Sequence, residues 1–252
     1  MNRPAKMIGD YGLDAPPVIR NLTIAGIASI ITGIILSFII GSTQSFIAKI
    51  LLICGLLTGA CLLVTAALMV WSSKVGKIKF REHLIDSLEL RGTETILDVG
   101  CGRGLLLTAA ARRLTTGKAI GIDLWQSVDQ SGNHPETTLE NARAEGVVDR
   151  VEIKTGDMRE LPFDDQSIDV VVSSLAIHNV PDKEGRAQAV CEIARVLKPN
   201  GRIALLDFEH TDEYTQTLRE LGWHEVKLSG LFFQIFLPVR VVTGFKPAKI
   251  LE

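Results

Sequence analysis

Paired cysteines are missing from this chain. Its four cysteines, Cys54, Cys61, Cys101 and Cys191, are scattered, with no Cys-x-x-Cys among them. Neither a zinc site nor a disulfide framework is suggested, and reducing surroundings are the plain reading. An excess of basic charge is missing too: 27 lysines and arginines against 29 acidic residues give a formal charge of −2. Nucleic-acid binding usually needs a basic face, so no nucleic-acid partner is expected. Repeats and low-complexity segments are absent. The most informative absence is local. Residues 21–48 hold no charged side chain, and neither do residues 50–71.

Runs 21–40 and 50–71 are each long enough to cross a bilayer as a helix. A short polar turn, 41–45, separates them, so the pair reads as a transmembrane hairpin. A signal peptide fits poorly, because its apolar core is shorter and nearer the start. Two buried core helices are the soluble alternative, but a small domain rarely encloses two all-round apolar helices. Arg3, Lys6 and Arg20 precede the hairpin; Lys74, Lys77, Lys79 and Arg81 follow it; the turn offers only Lys49. The positive-inside rule then predicts an integral membrane protein with both termini in the cytoplasm. Small residues at Ala25, Ser29, Gly33, Ser37 and Gly41, and at Gly55 and Gly59, form stripes along which helices approach closely. They suit packing of the two spans on each other or a homodimer.

The expected organisation is an N-terminal cytoplasmic arm at 1–20, the hairpin at 21–71, an amphipathic basic connector at 72–92, and a globular domain at 93–252. The connector's basic residues are expected at lipid headgroups or in solvent. From residue 93, β-type runs at 95–100, 119–124, 151–156, 168–174 and 201–208 alternate with helical patterns at 104–114, 135–145 and 184–198. That order predicts a parallel α/β sheet with crossover helices. One more helix, 211–221, and β-type runs at 223–229 and 239–244 complete the chain.

The centre of this domain is the run 95–104. A buried-strand pattern ends in Asp98-Val99-Gly100-Cys101-Gly102-Arg103-Gly104 and passes at once into a helix. Glycines let a ligand approach the backbone, and the helix start presents unpaired N–H groups. Asp123 ends the next strand, where a carboxylate suits ribose hydroxyls. A phosphate loop is excluded, because no Gly-Lys-Ser/Thr follows the glycines. A dinucleotide fingerprint wants Gly or Ala where Leu105 stands. The pattern Asp98-x-Gly100-x-Gly102-x-Gly104 resembles the first motif of class I S-adenosylmethionine-dependent methyltransferases of the ubiquinone/menaquinone type. Gly156-Asp157-Met158, Leu161-Pro162-Phe163 with the run 167–174, and the run 192–201 resemble that family's later motifs in order.

The resemblance, over roughly 80–247, implies a Rossmann-like seven-stranded sheet whose last strand is antiparallel. It implies S-adenosyl-L-methionine as cofactor. Asp98, Gly100, Cys101, Gly102 and Gly104 would surround the methionine end, and Asp123 would hold the ribose. Leu124 and Met158 would lie beside the adenine, and Asp157 would accept from its amino group. Ser173 and Ser174 would stand at the carboxyl edge of the fourth strand. Simple turn capping remains open for Asp98, Asp123 and Asp157. On the acceptor side, His178 could take a proton, or it could merely fix its loop. The polar segment 125–134 could be a lid or a surface loop. The apolar segment 230–238 could be a sheet hairpin, or it could touch a bilayer or a greasy substrate. The expected function is methyl transfer to a small lipophilic acceptor at the membrane. A soluble acceptor, or a non-catalytic cofactor-binding membrane protein, are the alternatives.

Overall fold

The computed structural model describes residues 9–40, 46–126 and 133–248. Gly41, the hairpin turn, and residues 127–132 of the polar segment lie outside the described residues, as does most of the N-terminal arm. The chain divides into two compact units, Leu13–Val75 and a second made of Met1–Gly12 with Gly76–Glu252.

In the first unit, α1 (Pro16–Ile39) and α2 (Phe46–Trp71) pack as a helical pair. Both are long and apolar enough to cross a membrane, and most of their side chains are exposed. Their contact runs through small residues, as one expected arrangement has it. A Cβ on Gly33 would stand 3.0 Å from the Cα of Gly55, and one on Gly59 would stand 2.6 Å from the carbonyl of Gly26. Ser29 Oγ donates to the Gly55 carbonyl at 3.3 Å. Ala25 lies on the outer face instead, and Gly26 takes the facing position. A π-helical turn, Ser72–Gly76, follows α2.

The second unit is an α/β layer structure: α3 (Lys77–Asp86), β1 (Thr95–Val99), α4 (Leu105–Ala111), β2 (Lys118–Asp123), α5 (Pro135–Ala144), β3 (Val151–Thr155), β4 (Ile168–Ser174), α6 (Lys183–Val196), β5 (Leu197–Asp207), α7 (Thr211–Glu220), β6 (Lys227–Leu228) and β7 (Arg240–Phe245). The seven strands form one sheet in the order β3-β2-β1-β4-β5-β7-β6. β1 to β5 pair in parallel, and β7 runs antiparallel between β5 and β6. Crossover helices force the parallel part, and period-2 side chains then split the core into two layers. Ile96, Val170, Val172, Ala204 and Leu206 face α3 and α4; Leu97, Val99, Val171, Ile203 and Leu205 face α6 and α7.

The expected elements are present, with two corrections: β5 begins at Leu197, where a helix to 198 was expected, and the strand expected at 223–229 is much shorter. Only Lys227–Leu228 pair within the expected 223–229 strand. Trp223 is instead a buried plug whose ring lies against Gly244. The expected basic face of the connector is also corrected. Lys77 and Arg81 are buried, not lipid- or solvent-facing. Lys77 Nζ donates to the Tyr11 carbonyl at 2.9 Å. Arg81 Nη2 meets Glu145 Oε1 at 2.7 Å, and its guanidinium lies over the Tyr11 ring. Tyr11 itself is buried, with its hydroxyl 2.6 Å from both Thr108 Oγ1 and Glu145 Oε1. Residues 9–12 thus belong to the α/β unit, strapped across α4 and α5 by paired buried polar groups, which are costly to separate singly.

Candidate active site

β1 delivers Asp98 and then turns sharply. Gly100 sits at φ +69°, where a Cβ would come within 2.2 Å of Ala176 Cβ. Gly104, at φ +80°, opens α4 against Thr138. The turn is pinned from below. The Gly100 and Cys101 N–H groups donate to the Ile122 carbonyl at 2.8 and 3.1 Å. Gly102 N–H donates to Asp123 Oδ2 at 2.8 Å. It is braced from the side by α5, where Thr138 Oγ1 donates to the Gly102 carbonyl and Asn141 Nδ2 to the Arg103 carbonyl. Asn141 also holds both the N–H and the carbonyl of Asp10. Nothing in the local sequence marks Thr138, Asn141 or Asp10 as part of this site. Their partners lie tens of residues away.

Asp98 is fully buried on the α4 side of the sheet. Its Oδ2 accepts from Leu107 N–H at 2.9 Å, so the capping alternative is realised for one oxygen. Its Oδ1 has no hydrogen-bond partner among the described residues. Burial, with a further push from Asp123, raises its pKa to about 7. Asp123 ends β2 and accepts from Gly102, from Trp125 N–H at 2.7 Å and from Asn133 Nδ2 at 3.1 Å. Among the described residues no ion pair reaches either carboxylate. Two carboxylates around a glycine turn, one with an orphaned buried oxygen, form a receptor for a ligand carrying positive charge and hydroxyls. S-adenosylmethionine, with its sulfonium, ammonium and ribose, fits that donor and charge demand.

The remaining expected residues divide. Leu124 is 45% exposed beside Asp123, free to meet a ring. Met158 reaches over the turn, its Cε 3.6 Å from where a Gly100 Cβ would lie. Cys101 is buried against Gly121, and burial pushes its thiol pKa well up, so it packs as a neutral wall. Ser173 is turned away: its Oγ donates to the Val99 carbonyl at 2.8 Å and ties β4 to β1. Ser174 closes β4 at the sheet's carboxyl edge. Asp157 is committed to Arg159, whose backbone N–H, Nε and Nη2 give four contacts of 2.6–3.1 Å to its two oxygens. Those contacts fill a carboxylate's lone pairs and hold its pKa down. An adenine amino group would have to displace Arg159 to reach it.

His178 stands on the turn that crosses the glycines, two residues beyond Ala176. Its Nδ1 is 2.7 Å from Asp207 Oδ1, a close contact that is not an aligned hydrogen bond. Its N–H donates to Asp207 Oδ2 at 3.2 Å, and its ring lies 4.5 Å from that of Phe208. Asp207, at the buried end of β5, also accepts from Tyr214 Oη at 3.1 Å and from Phe208 N–H at 2.9 Å. Burial and Asp207 push the Tyr214 pKa up, which keeps it a neutral donor. Asp207 escaped the sequence reading, although a carboxylate ending a strand is the signal that singled out Asp123.

The pKa of Asp98 makes a prediction. A cationic ligand held by this carboxylate would have to displace a proton below about pH 7. S-adenosylmethionine affinity should fall as pH drops through about 7 and level off above it. Calorimetry on the full chain at about pH 6, 7 and 8, in buffers of different ionisation enthalpy, should show proton release at the lowest pH and almost none at the highest. Equal affinity without proton release would contradict this.

Comparison with known proteins agrees with the geometry. Residues 97–205 match the family model for a methyltransferase domain. Demethylmenaquinone methyltransferase of Lactobacillus johnsonii is 30% identical over 158 residues, covering 62% of this chain and 57% of that protein. The chloroplastic 2-phytyl-1,4-beta-naphthoquinone methyltransferase of Arabidopsis thaliana is 33% identical over 129 residues, covering 51% and 46%. The chain thus spans about half the length of these curated relatives. A S-adenosylmethionine-dependent O-methyltransferase of Thermotoga maritima shares the fold, with a TM-score of 0.55 at 20% identity over 69% of this chain and 67% of that one. The strand order and the glycine turn with its two carboxylates agree with this match: residues 97–205 are similar to an S-adenosylmethionine-dependent methyltransferase domain.

Proposed function

We propose that this chain is a membrane-anchored methyltransferase acting on a small lipophilic acceptor with an acidic O–H, such as a phenol or quinol. The observation that carries the reading is the His178–Asp207–Tyr214 array, in which His178 stands on the turn that crosses the glycines and is backed by Asp207 of β5 and Tyr214 of α7. Bound S-adenosylmethionine supplies an electrophilic methyl group and keeps the electrons of the broken C–S bond on sulfur. The chain's own task is to hold the acceptor in line and take its proton. With its proton on Nδ1, facing Asp207, His178 has Nε2 as the accepting nitrogen. Asp207 then stabilises the imidazolium that forms, while Tyr214 and the Phe208 N–H stabilise Asp207. The acceptor's oxygen, or a ring carbon activated by it, is left as the nucleophile. Asp98 and the glycine turn would hold the methionine end of the cofactor, and Asp123 the ribose.

Lipophilicity of the acceptor is supported by the names of the quinone-directed relatives and by two helices of spanning length. Lys and Arg on the outer flanks favour both termini, and the domain, on the cytoplasmic side. In this reading the small residues of α1 and α2 serve the hairpin itself. The test offers the full chain in detergent three acceptor classes: isoprenoid-substituted phenols or quinols, phospholipid amines, and water-soluble phenols. Turnover concentrated on the first class is expected. Preference for an amine or a soluble phenol would overturn the acceptor assignment.

A further inference from the structure

Of the described large apolar side chains in the α/β unit, Leu124, Leu231, Phe233, Leu237 and Phe245 are exposed. Leu124 belongs to the cofactor site. Three of the other four lie on one loop, 230–238, with Phe233 73% exposed and Leu231 and Leu237 each 50% exposed. The loop joins β6 to β7. Arg240, the first residue of β7, pairs with Asp207, the last of β5. It therefore hangs at the carboxyl edge of the sheet, beside the carboxylate that holds His178.

The loop is also rigidly rooted. Phe232 and Val239 pair their backbones at 2.8 and 3.0 Å. Ile235 is buried in the core layer that Phe208 and Phe232 also join. The Phe232 ring meets Phe80 of α3 edge-on at 4.9 Å. Phe232 and Ile235 point in and anchor; Leu231, Phe233 and Leu237 point out. A floppy apolar loop would collapse onto its own domain, whereas this one holds three greasy side chains in water. Such a patch marks an interaction surface. Phe80, its root, lies nine residues after Trp71, the end of the second apolar helix.

We infer that loop 230–238 dips Leu231, Phe233 and Leu237 into the bilayer surface and forms the lip over which a membrane-dissolved acceptor reaches His178. The occupant is lipid. The loop adjoins the acceptor residues on one side, and its root follows the spanning helix by a few residues of chain. Two aliphatic side chains and one aromatic on a short tip suit shallow insertion at the headgroup–acyl boundary. This inference rests on the membrane-anchored reading above, and adds a second, site-specific contact to the anchor.

The test uses the full chain reconstituted into phosphatidylcholine–phosphatidylglycerol vesicles. Cys54, Cys61 and Cys191 are replaced by serine, and Phe233→Cys or Leu231→Cys carries an environment-sensitive fluorophore. Thr116→Cys, exposed in the turn before β2 at the opposite edge of the sheet, is the control. Nitroxide-bearing lipids should quench the label at 233 and 231 and not at 116, with S-adenosylmethionine affinity unchanged. Emission at 233 and 231 as unquenched as at 116 would overturn the inference. So would a label shielded from water but not quenched by lipid, which would mean that another protein surface covers the loop. In parallel, combined Leu231→Ser, Phe233→Ser and Leu237→Ser should raise KM for a vesicle-borne acceptor about tenfold. KM for a short-chain acceptor in detergent should not change, and equal effects on both would overturn the lip. Quenching needs no turnover, so a wild-type chain that is quenched yet inactive on lipophilic acceptors would contradict the acceptor assignment and not the loop.

Discussion

The His178→Ala variant should bind S-adenosylmethionine like the wild type and lose about 10²–10⁴-fold in kcat, the range for removal of a positioned general base. The ring is 2.7 Å from Asp207 and tilted against Phe208, so its loss leaves a carboxylate but no proton acceptor at the acceptor side. Asp207→Asn should cost about 10²-fold or more while keeping the shape, because an amide favours the wrong imidazole tautomer. A purely loop-fixing His178 would give another pattern: a lower Tm and weaker cofactor binding, with kcat nearly intact. Added imidazole discriminates further. It should restore part of the His178→Ala rate and do nothing for Asp207→Asn. Failure of rescue together with weakened cofactor binding would return His178 to a structural role.

The second large effect is at the glycine turn. Gly100→Ala places a methyl 2.2 Å from Ala176 Cβ at a φ of +69°. Left-handed backbone costs an L-residue about 1–2 kcal/mol, and overpacking adds about 1–3 kcal/mol. Relief requires the Ala176 turn to move, and His178 moves with it. Loss of about 100-fold or more in S-adenosylmethionine affinity is expected, near 2.7 kcal/mol, with a lowered Tm. Gly146→Ala separates the two causes. Its φ is +70°, but a Cβ there meets nothing within 4 Å. It should show the backbone cost alone and leave cofactor binding unchanged. Similar cofactor losses in the two variants would mean that crowding at Ala176 is not what keeps residue 100 a glycine.

What the sequence revealed and what it hid follow from the range of the interactions. β1, β2 and β4 were legible because each is a short apolar run ending in a polar or glycine residue, and such runs are buried on both faces in parallel sheets; β3, at the sheet edge, was legible from the alternation Val151-Glu152-Ile153-Lys154. The glycine turn and Asp123 were legible as positions because each directly follows or ends a strand, and the structure joins them through the Gly102 N–H. Asp157 has a local partner that its motif did not announce. Arg159, two residues on, pairs with both of its oxygens. The strap at residues 9–12 was invisible, since Tyr11 finds Glu145 134 positions away. Lys77 and Arg81 were read as a surface stripe for a related reason. Nothing near them in the chain shows that Tyr11 and Glu145 close over them. The strap also bears on experiment: removing the N-terminal segment with the helices would strip Tyr11 from Arg81, Thr108 and Glu145, so the full chain is the form to assay.

The central claim is that this site moves a methyl group to a membrane-dissolved hydroxyl compound. Its most direct test is mass spectrometry of a native lipid extract after incubation with the full chain and S-adenosylmethionine labelled with a trideuterated methyl. The account predicts one lipid-phase species that gains a single labelled methyl in place of one hydrogen, formed by the wild type and not by His178→Ala. Label appearing only in the aqueous fraction, or no labelled product from a chain that binds the cofactor, would contradict it.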